Sequence, residues 1–184
     1  YAVSNVIMIP LAGMFSDLFG RKNYFTASII LFTVASFFCG MAHSLNAIII
    51  WRFIQGIGGG GLLTSAQTII VGAYPPEKLS MANAIFGMGV MIGPTLGPTL
   101  GGYLTDNFSW HWIFLVNIPV GALAAYLSWT YVHDRAGAVK PKKIDYWGIA
   151  FLVIGVSTLQ YVLEEGSQDD WFNSPLIVTL SIIA

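Results

Sequence analysis

The chain has 184 residues, is 55% hydrophobic and only 9% charged, and carries a formal net charge of −1. A soluble domain averages about 25% charged residues, so this composition excludes a protein whose whole surface meets water. One cysteine, Cys39, excludes an internal disulfide and sits in an apolar run, where it reads as a small packing residue.

In chain order, apolar segments lie between polar breaks. Tyr1 to about Phe19 is the first and Tyr24 to Ala42 the second. Leu45 to Ala73 is the third, interrupted only by Arg52 and two glutamines, Gln55 and Gln67. Met81–Leu104, Trp112–Val132 and Trp147–Leu163 come next, and Pro175–Ala184 begins a further one. A helix needs about 20 apolar residues, range 17 to 25, to span a bilayer, and the internal segments meet that. The expectation is an all-α integral membrane protein. The start on Tyr, without a Met or a basic leader, and the end inside an apolar run give a second expectation: a piece of a larger membrane protein.

Charge sets the orientation. Of the eight Lys and Arg residues, all but Arg52 fall in alternate loops: Arg21 and Lys22, then Lys78, then Arg135, Lys140, Lys142 and Lys143. The other loops hold no Lys or Arg but contain Asp106, Glu164, Glu165, Asp169 and Asp170. The positive-inside rule then places 20–23, 74–80 and 133–145 in the cytoplasm. Trp110, Trp112, Trp147 and Trp171 fall near segment ends, as an aromatic belt requires. The longest basic loop, "HDRAGAVKPKKID" at 133–145, is a candidate boundary between a first bundle and the remaining helices. Anionic lipid headgroups are the nearest partner for its lysines, and nothing in it calls for nucleic acid.

Three motifs stand out. In "GMFSDLFGRK", Gly13 and Gly20 bracket a helix end, Asp17 stands four residues before Arg21, a favourable helical pairing order, and Lys22 is next. Alternatively, these are only solvated, topology-setting charges. In "WRFIQGIGGGG", Arg52, Gln55, Gly56, Gly59 and Leu63 share one helix face. Arg52 is about seven residues, roughly 10 Å, from the outer end of its segment. A charge at that depth usually faces a bundle interior or wet cavity; the bland alternative is an Arg snorkelling to the interface. The glycines beside it would offer a thin face for a moving neighbour. In "GVMIGPTLGPTLGG", Gly89, Gly93, Gly97 and Gly101 are four apart, with Gly102 next, and form a stripe that lets a neighbouring backbone come close. Pro94 and Pro98 each remove a helical donor, freeing the carbonyls of Val90 and Pro94, for which Thr95 and Thr99 are nearby candidates. A kinked helix, packed tightly on one side, is the expectation; a generic small-residue packing face is the alternative.

These motifs, in this order, resemble signatures of the major facilitator superfamily. "GMFSDLFGRK" is similar to its loop signature G-x-L-x-D-[RK]-x-G-[RK]-[RK], "RFIQGIGGG" to its fourth-helix signature, and "GPTLGPTLGGYL" to the fifth-helix antiporter signature. "WHWIFLVNIPVG" and "DYWGIAFLVIGVSTLQYVLEEGSQDDWFNS" resemble the 14-helix drug:H⁺ antiporters of the EmrB/QacA type. The resemblance covers the whole chain and implies a run from helix 2 to helix 8. It makes 1–132 part of the N-terminal bundle (helices 2–6), 133–145 a cytoplasmic linker, and 146–184 the extra helices between the halves. It implies a cytoplasmic gate at Gly13, Asp17, Gly20, Arg21 and Lys22, and a coupling or cavity group at Arg52, Gln55 and Gly56. It implies an antiporter helix at Gly89, Gly93, Pro94, Gly97, Pro98, Gly101 and Gly102. Leu18 departs from the pattern, which has Arg or Lys after the aspartate. A proton-carrying carboxylate would lie outside these residues, since helix 1 often carries it in this family and no acid falls within a complete span here.

No enzyme constellation accompanies these motifs. His43, His111 and His133 are scattered at segment ends, without metal-ligand spacing, and there is no P-loop. The expected function is a secondary transporter that exports hydrophobic compounds in exchange for protons, with the proton gradient as energy source and no cofactor. Its expected partners are the bilayer, a small hydrophobic substrate, the rest of the same transporter and, as a further candidate, a periplasmic adaptor. A same-fold carrier for a metabolite, siderophore or sugar is one alternative, and a non-transporting membrane sensor or scaffold is another.

Overall fold

A computed structural model describes residues 1–134, 145–167, 171 and 174–184. Most of the proposed linker, including Arg135, Lys140, Lys142 and Lys143, therefore lies outside the described residues, as do Asp169 and Asp170.

Every regular element among the described residues is a helix. Helix α1 spans Ala2–Phe19 and α2 spans Arg21–Gly40. They meet at Gly20, whose φ of 87° and ψ of 147° belong to a region essentially reserved for glycine. Helices α3 (Leu45–Gly60) and α4 (Leu62–Ala73) divide one 29-residue apolar stretch, with Gly61 between them. Helix α5 spans Pro76–Asn107, longer than its apolar segment, because Pro76 is pre-organised for a first helical turn and the polar residues after it continue the hydrogen bonding. The short α6 (Trp112–Leu115) leads into α7 (Asn117–Tyr131). Helix α8 (Tyr146–Glu165) starts at Asp145, whose side chain accepts from the Gly148 amide at 2.9 Å, and α9 spans Pro175–Ile183. Six stretches are long and apolar enough to cross a membrane, counting α3–α4 and α6–α7 as one each.

Helix α2 is the centre. It packs on α1, α3, α4, α6 and α7, while α1 also packs on α3, and α8 lies against α1 and α9. The interior is rich in small and hydroxyl-bearing residues, Ser4, Ala12, Ser28, Ala35, Ser36 and Cys39 among them, beside a few large ones such as Leu11, Ile29, Phe114 and Ile177. Thr26 and Ser128 bridge α2 to α7 with an Oγ–Oγ distance of 2.8 Å. Most large apolar side chains face outward instead, among them Ile30, Leu31, Val34, Phe37 and Phe38 of α2. That inversion is what lipid selects. Hydrocarbon gives no drive to hide a Leu, so helices associate through close backbone approach and interhelical hydrogen bonds.

The corners sort to two ends. Arg21, Gly72, Ala73 and the 131–134 segment surround one cavity, which puts the corners after α1, α4 and α7 together. At the other end the His43 and His111 rings lie 6.4 Å apart, and a Cβ on Gly40 would meet the Leu115 side chain at 2.6 Å. This is the alternation that the charges require, with the basic corners on one side. In a cysteine-free version of the full-length protein, Phe108→Cys is expected to react with an impermeant maleimide added outside, and Tyr74→Cys only after the membrane is opened. The reverse pattern would invert every side assignment.

Candidate functional site

Buried polar side chains converge where α2 and α3 cross. Gln55 of α3 is 1% exposed. Its amide nitrogen donates to Ser36 Oγ of α2, and its Oε1 accepts from Arg52 Nη1 at 3.0 Å. The Arg52 guanidinium lies over the Phe114 ring, 4.6 Å from its centroid, and 5.3 Å from the Tyr1 ring. Arg52 is thus half-buried between α1, α3 and α6, with an amide and two aromatic faces as partners. Guanidinium stacks on such faces because it is planar and weakly hydrated. Gln55 is thus buried in the bundle, while Arg52 is half-buried and reaches from it toward Phe114 and Tyr1 at the end opposite the basic corners.

The glycines beyond them serve more than one neighbour. A Cβ on Gly56 would collide with Ser4 Oγ and approach the Tyr1 carbonyl at 2.5 Å, so that face is closed by α1. Gly60 meets Asn5 of α1 in the same way, whereas Gly58 faces α2, 2.7 Å from the Phe32 amide nitrogen and 3.0 Å from the Ser28 carbonyl. These glycines give α3 thin faces on which the backbones of α1 and α2 lie close. Leu63 does not share their face. It lies beyond the break at Gly61 and is 57% exposed.

At the end carrying the basic corners, Gly13, Ser16, Asp17 and Arg21 line a cavity of about 390 Å³ with Thr64, Ser65 and Thr68 of α4. Ser65 is 7% exposed and its hydroxyl has no partner among the described residues. The helical i,i+4 geometry expected for Asp17 and Arg21 does not form, because Gly20 ends α1 and Arg21 opens the next helix. Both line the same cavity, from α1 and from the start of α2. Lys22 places Nζ 4.5 Å from the centre of the Trp129 ring.

The profile for the Major Facilitator Superfamily matches residues 1–182. The chain belongs to that superfamily. Across its whole length it is 40% identical to Multidrug export protein EmrB of Haemophilus influenzae, 36% identical to Fatty acid resistance protein FarB of Neisseria gonorrhoeae, and 40% identical to Multidrug resistance protein 3 of Bacillus subtilis. It spans 36% of the length of each. Superfamily membership and the six apolar spans make this a multi-pass inner or plasma membrane protein, and the superfamily is one of transporters, not enzymes.

The fifth-helix motif lies on a face of α5 that no described helix covers. A Cβ at Gly89, Gly93, Gly97, Gly101 or Gly102 would meet nothing within 4 Å among the described residues, and α5 packs mainly on α4 and α6. No described residue packs on this stripe, and the chain spans 36% of the length of the relatives it matches. Nor does Thr95 serve the carbonyl that Pro94 frees: its hydroxyl donates to Met91 O at 2.7 Å, the ordinary bond of a helical threonine. Pro94 and Pro98 lie inside a helix that runs on to Asn107. Reasoning from sequence also missed Ser36, Phe114 and Asp134. The first was detectable in principle, since a Gln in a spanning helix needs a partner on another helix. Phe114 and Asp134 come from distant corners, and no local spacing points to them.

Proposed function

We propose that the full-length protein is a secondary active transporter that exports hydrophobic compounds across the cytoplasmic membrane in exchange for protons. The observation that carries this is the half-buried Arg52, held inside a spanning bundle by Gln55, Phe114 and Tyr1. An ionisable group is kept at such a depth for work on a substrate or ion pathway, because lipid makes it costly. The names of the relatives, two of them for multidrug resistance or export and one for fatty acid resistance, support amphiphilic cargo. Residues 1–132 would form part of the first bundle, 133–145 its cytoplasmic basic linker, and 146–184 helices inserted before the second bundle. Alternating access then comes from rocking of the two bundles about a midplane site. A periplasmic adaptor is a further proposed partner.

The test is flux in proteoliposomes holding the full-length protein. An imposed pH gradient is expected to drive movement of a fluorescent amphiphile, with protons moving the other way. Equal flux with the gradient collapsed would remove proton coupling. No flux of amphiphiles, with flux of a sugar or siderophore, would move the protein to the alternative carrier class.

A further inference from the structure

We infer that Asp134 is a positioning residue of the cytoplasmic gate, tying the end of α7 to the turn between α1 and α2. The inference rests on the transporter function proposed above. The backbone N–H of Lys22 donates to Asp134 Oδ1 at 3.0 Å, across 112 positions of sequence. Lys22 is the second residue of α2, where an amide has no acceptor within its own helix. Such amides are normally served by a Ser, Thr, Asp or Asn at the N-cap. Here the N-cap is Gly20, which has no side chain to give, and the carboxylate comes from another helix instead.

Gly20 is fitted to that arrangement. Its backbone lies at φ 87°, and a Cβ there would stand 2.9 Å from Asp134 Oδ1 and 3.0 Å from Oδ2. The absent side chain is therefore the space that the carboxylate fills. Two more contacts continue the seam along α2 and α7: the Lys22 ammonium over Trp129, and Thr26 bonded to Ser128. Arg21, lying between these anchored points, is turned toward α4, with Nη1 2.7 Å from where a Gly72 Cβ would be. It lines the Asp17 cavity on one side and a cavity with His133 and Asp134 on the other. The position of the guanidinium relative to Asp17 thus depends on where Asp134 holds the start of α2.

The experiment uses the full-length transporter, free of other cysteines, with Ser16→Cys as a reporter in the cavity wall. Asp134→Ala is expected to lower the maximal rate of proton-driven efflux about fivefold, the scale set by loss of one helix cap, with KM little changed. Labelling of the reporter thiol at position 16 from the cytoplasmic face should accelerate by a similar factor. Asp134→Asn keeps an oxygen that accepts from the Lys22 amide and should restore most of both properties. Gly20→Ala and Asp134→Ala together should impair efflux less than the product of their separate effects, because the second removes what the first collides with. Wild-type labelling in Asp134→Ala, an Asn variant as impaired as Ala, or multiplicative effects in the double variant would each overturn the inference. Should Asp134→Ala not reach the membrane, Asp134→Ser, whose hydroxyl is one bond shorter, takes its place with the same expected direction. The labelling rate is read without transport, so a protein that moves no substrate but keeps these labelling differences would reject the transporter function and retain Asp134 as the anchor.

Discussion

Arg52→Ala and Arg52→Lys are both expected to reduce proton-driven efflux of the full-length protein by more than about tenfold while leaving it in the membrane. The guanidinium does three things at once. It donates to Gln55 Oε1 at 3.0 Å, lies over Phe114, and approaches Tyr1. A lysine keeps the charge but is a compact, strongly hydrated ammonium without the planar face that stacks. With alanine, the carbonyl oxygen of a Gln that is 1% exposed loses its donor. An unsatisfied buried acceptor costs about 1 to 3 kcal/mol, which is enough to redistribute a transporter between its states. Gln55→Leu should reproduce part of the loss, because it unties both Arg52 and Ser36. Transport at the wild-type rate in Arg52→Lys would show that charge alone suffices and that the stacked, hydrogen-bonded geometry is incidental.

The second large effect concerns stability, and its sign is the test. In a helix interior, Gly→Ala ordinarily stabilises by about 1 kcal/mol. Gly87→Ala, where a Cβ would meet nothing within 4 Å, should follow that rule or be neutral. Gly58→Ala should do the opposite. Its Cβ would stand 2.7 Å from the Phe32 amide nitrogen and 3.0 Å from the Ser28 carbonyl, and these are backbone atoms of α2 that no rotamer change can clear. Overpacking of this kind typically costs about 1 to 3 kcal/mol. Gly60→Val, driven against the Asn5 carbonyl, should leave no monodisperse protein at all. Thermal unfolding and then size-exclusion chromatography in detergent read all three. A Gly58→Ala protein that melts above wild type would mean that α2 and α3 are free to separate.

These variants mark the line between what periodicity reveals and what packing decides. The spans were legible because lipid imposes one crude requirement, some twenty residues without charge, and a chain can meet it only by stating it openly in its composition. The ends were less legible. Helix α2 begins at Arg21 and α5 at Pro76, each several residues before the apolar run, since backbone hydrogen bonding continues where hydrophobicity stops. The break at Gly61 was hidden because the apolar character runs straight through it.

The candidate site divides along the same line. Depth, together with Gln55 and the glycines beside it, pointed Arg52 toward the bundle, with snorkelling as the alternative. Which groups hold it could not be read that way, since Phe114 and Ser36 reach the Arg52–Gln55 pair from other helices. The pairing of Asp17 with Arg21 assumed a continuous helix, and a single residue at φ 87° cancels it. The stripe on α5 was plain as a spacing, yet a spacing carries no statement of what lies opposite, and its glycines meet nothing among the described residues. Residue order and composition were enough for the solvent, the number of spans and the alternation of the corners, because these follow from transfer free energies that add residue by residue. They were not enough for the Asp134 cap on α2 or the bond from Gln55 to Ser36. A hydrogen bond depends on two groups meeting within about 3 Å, and only the folded chain brings together positions that lie far apart along it.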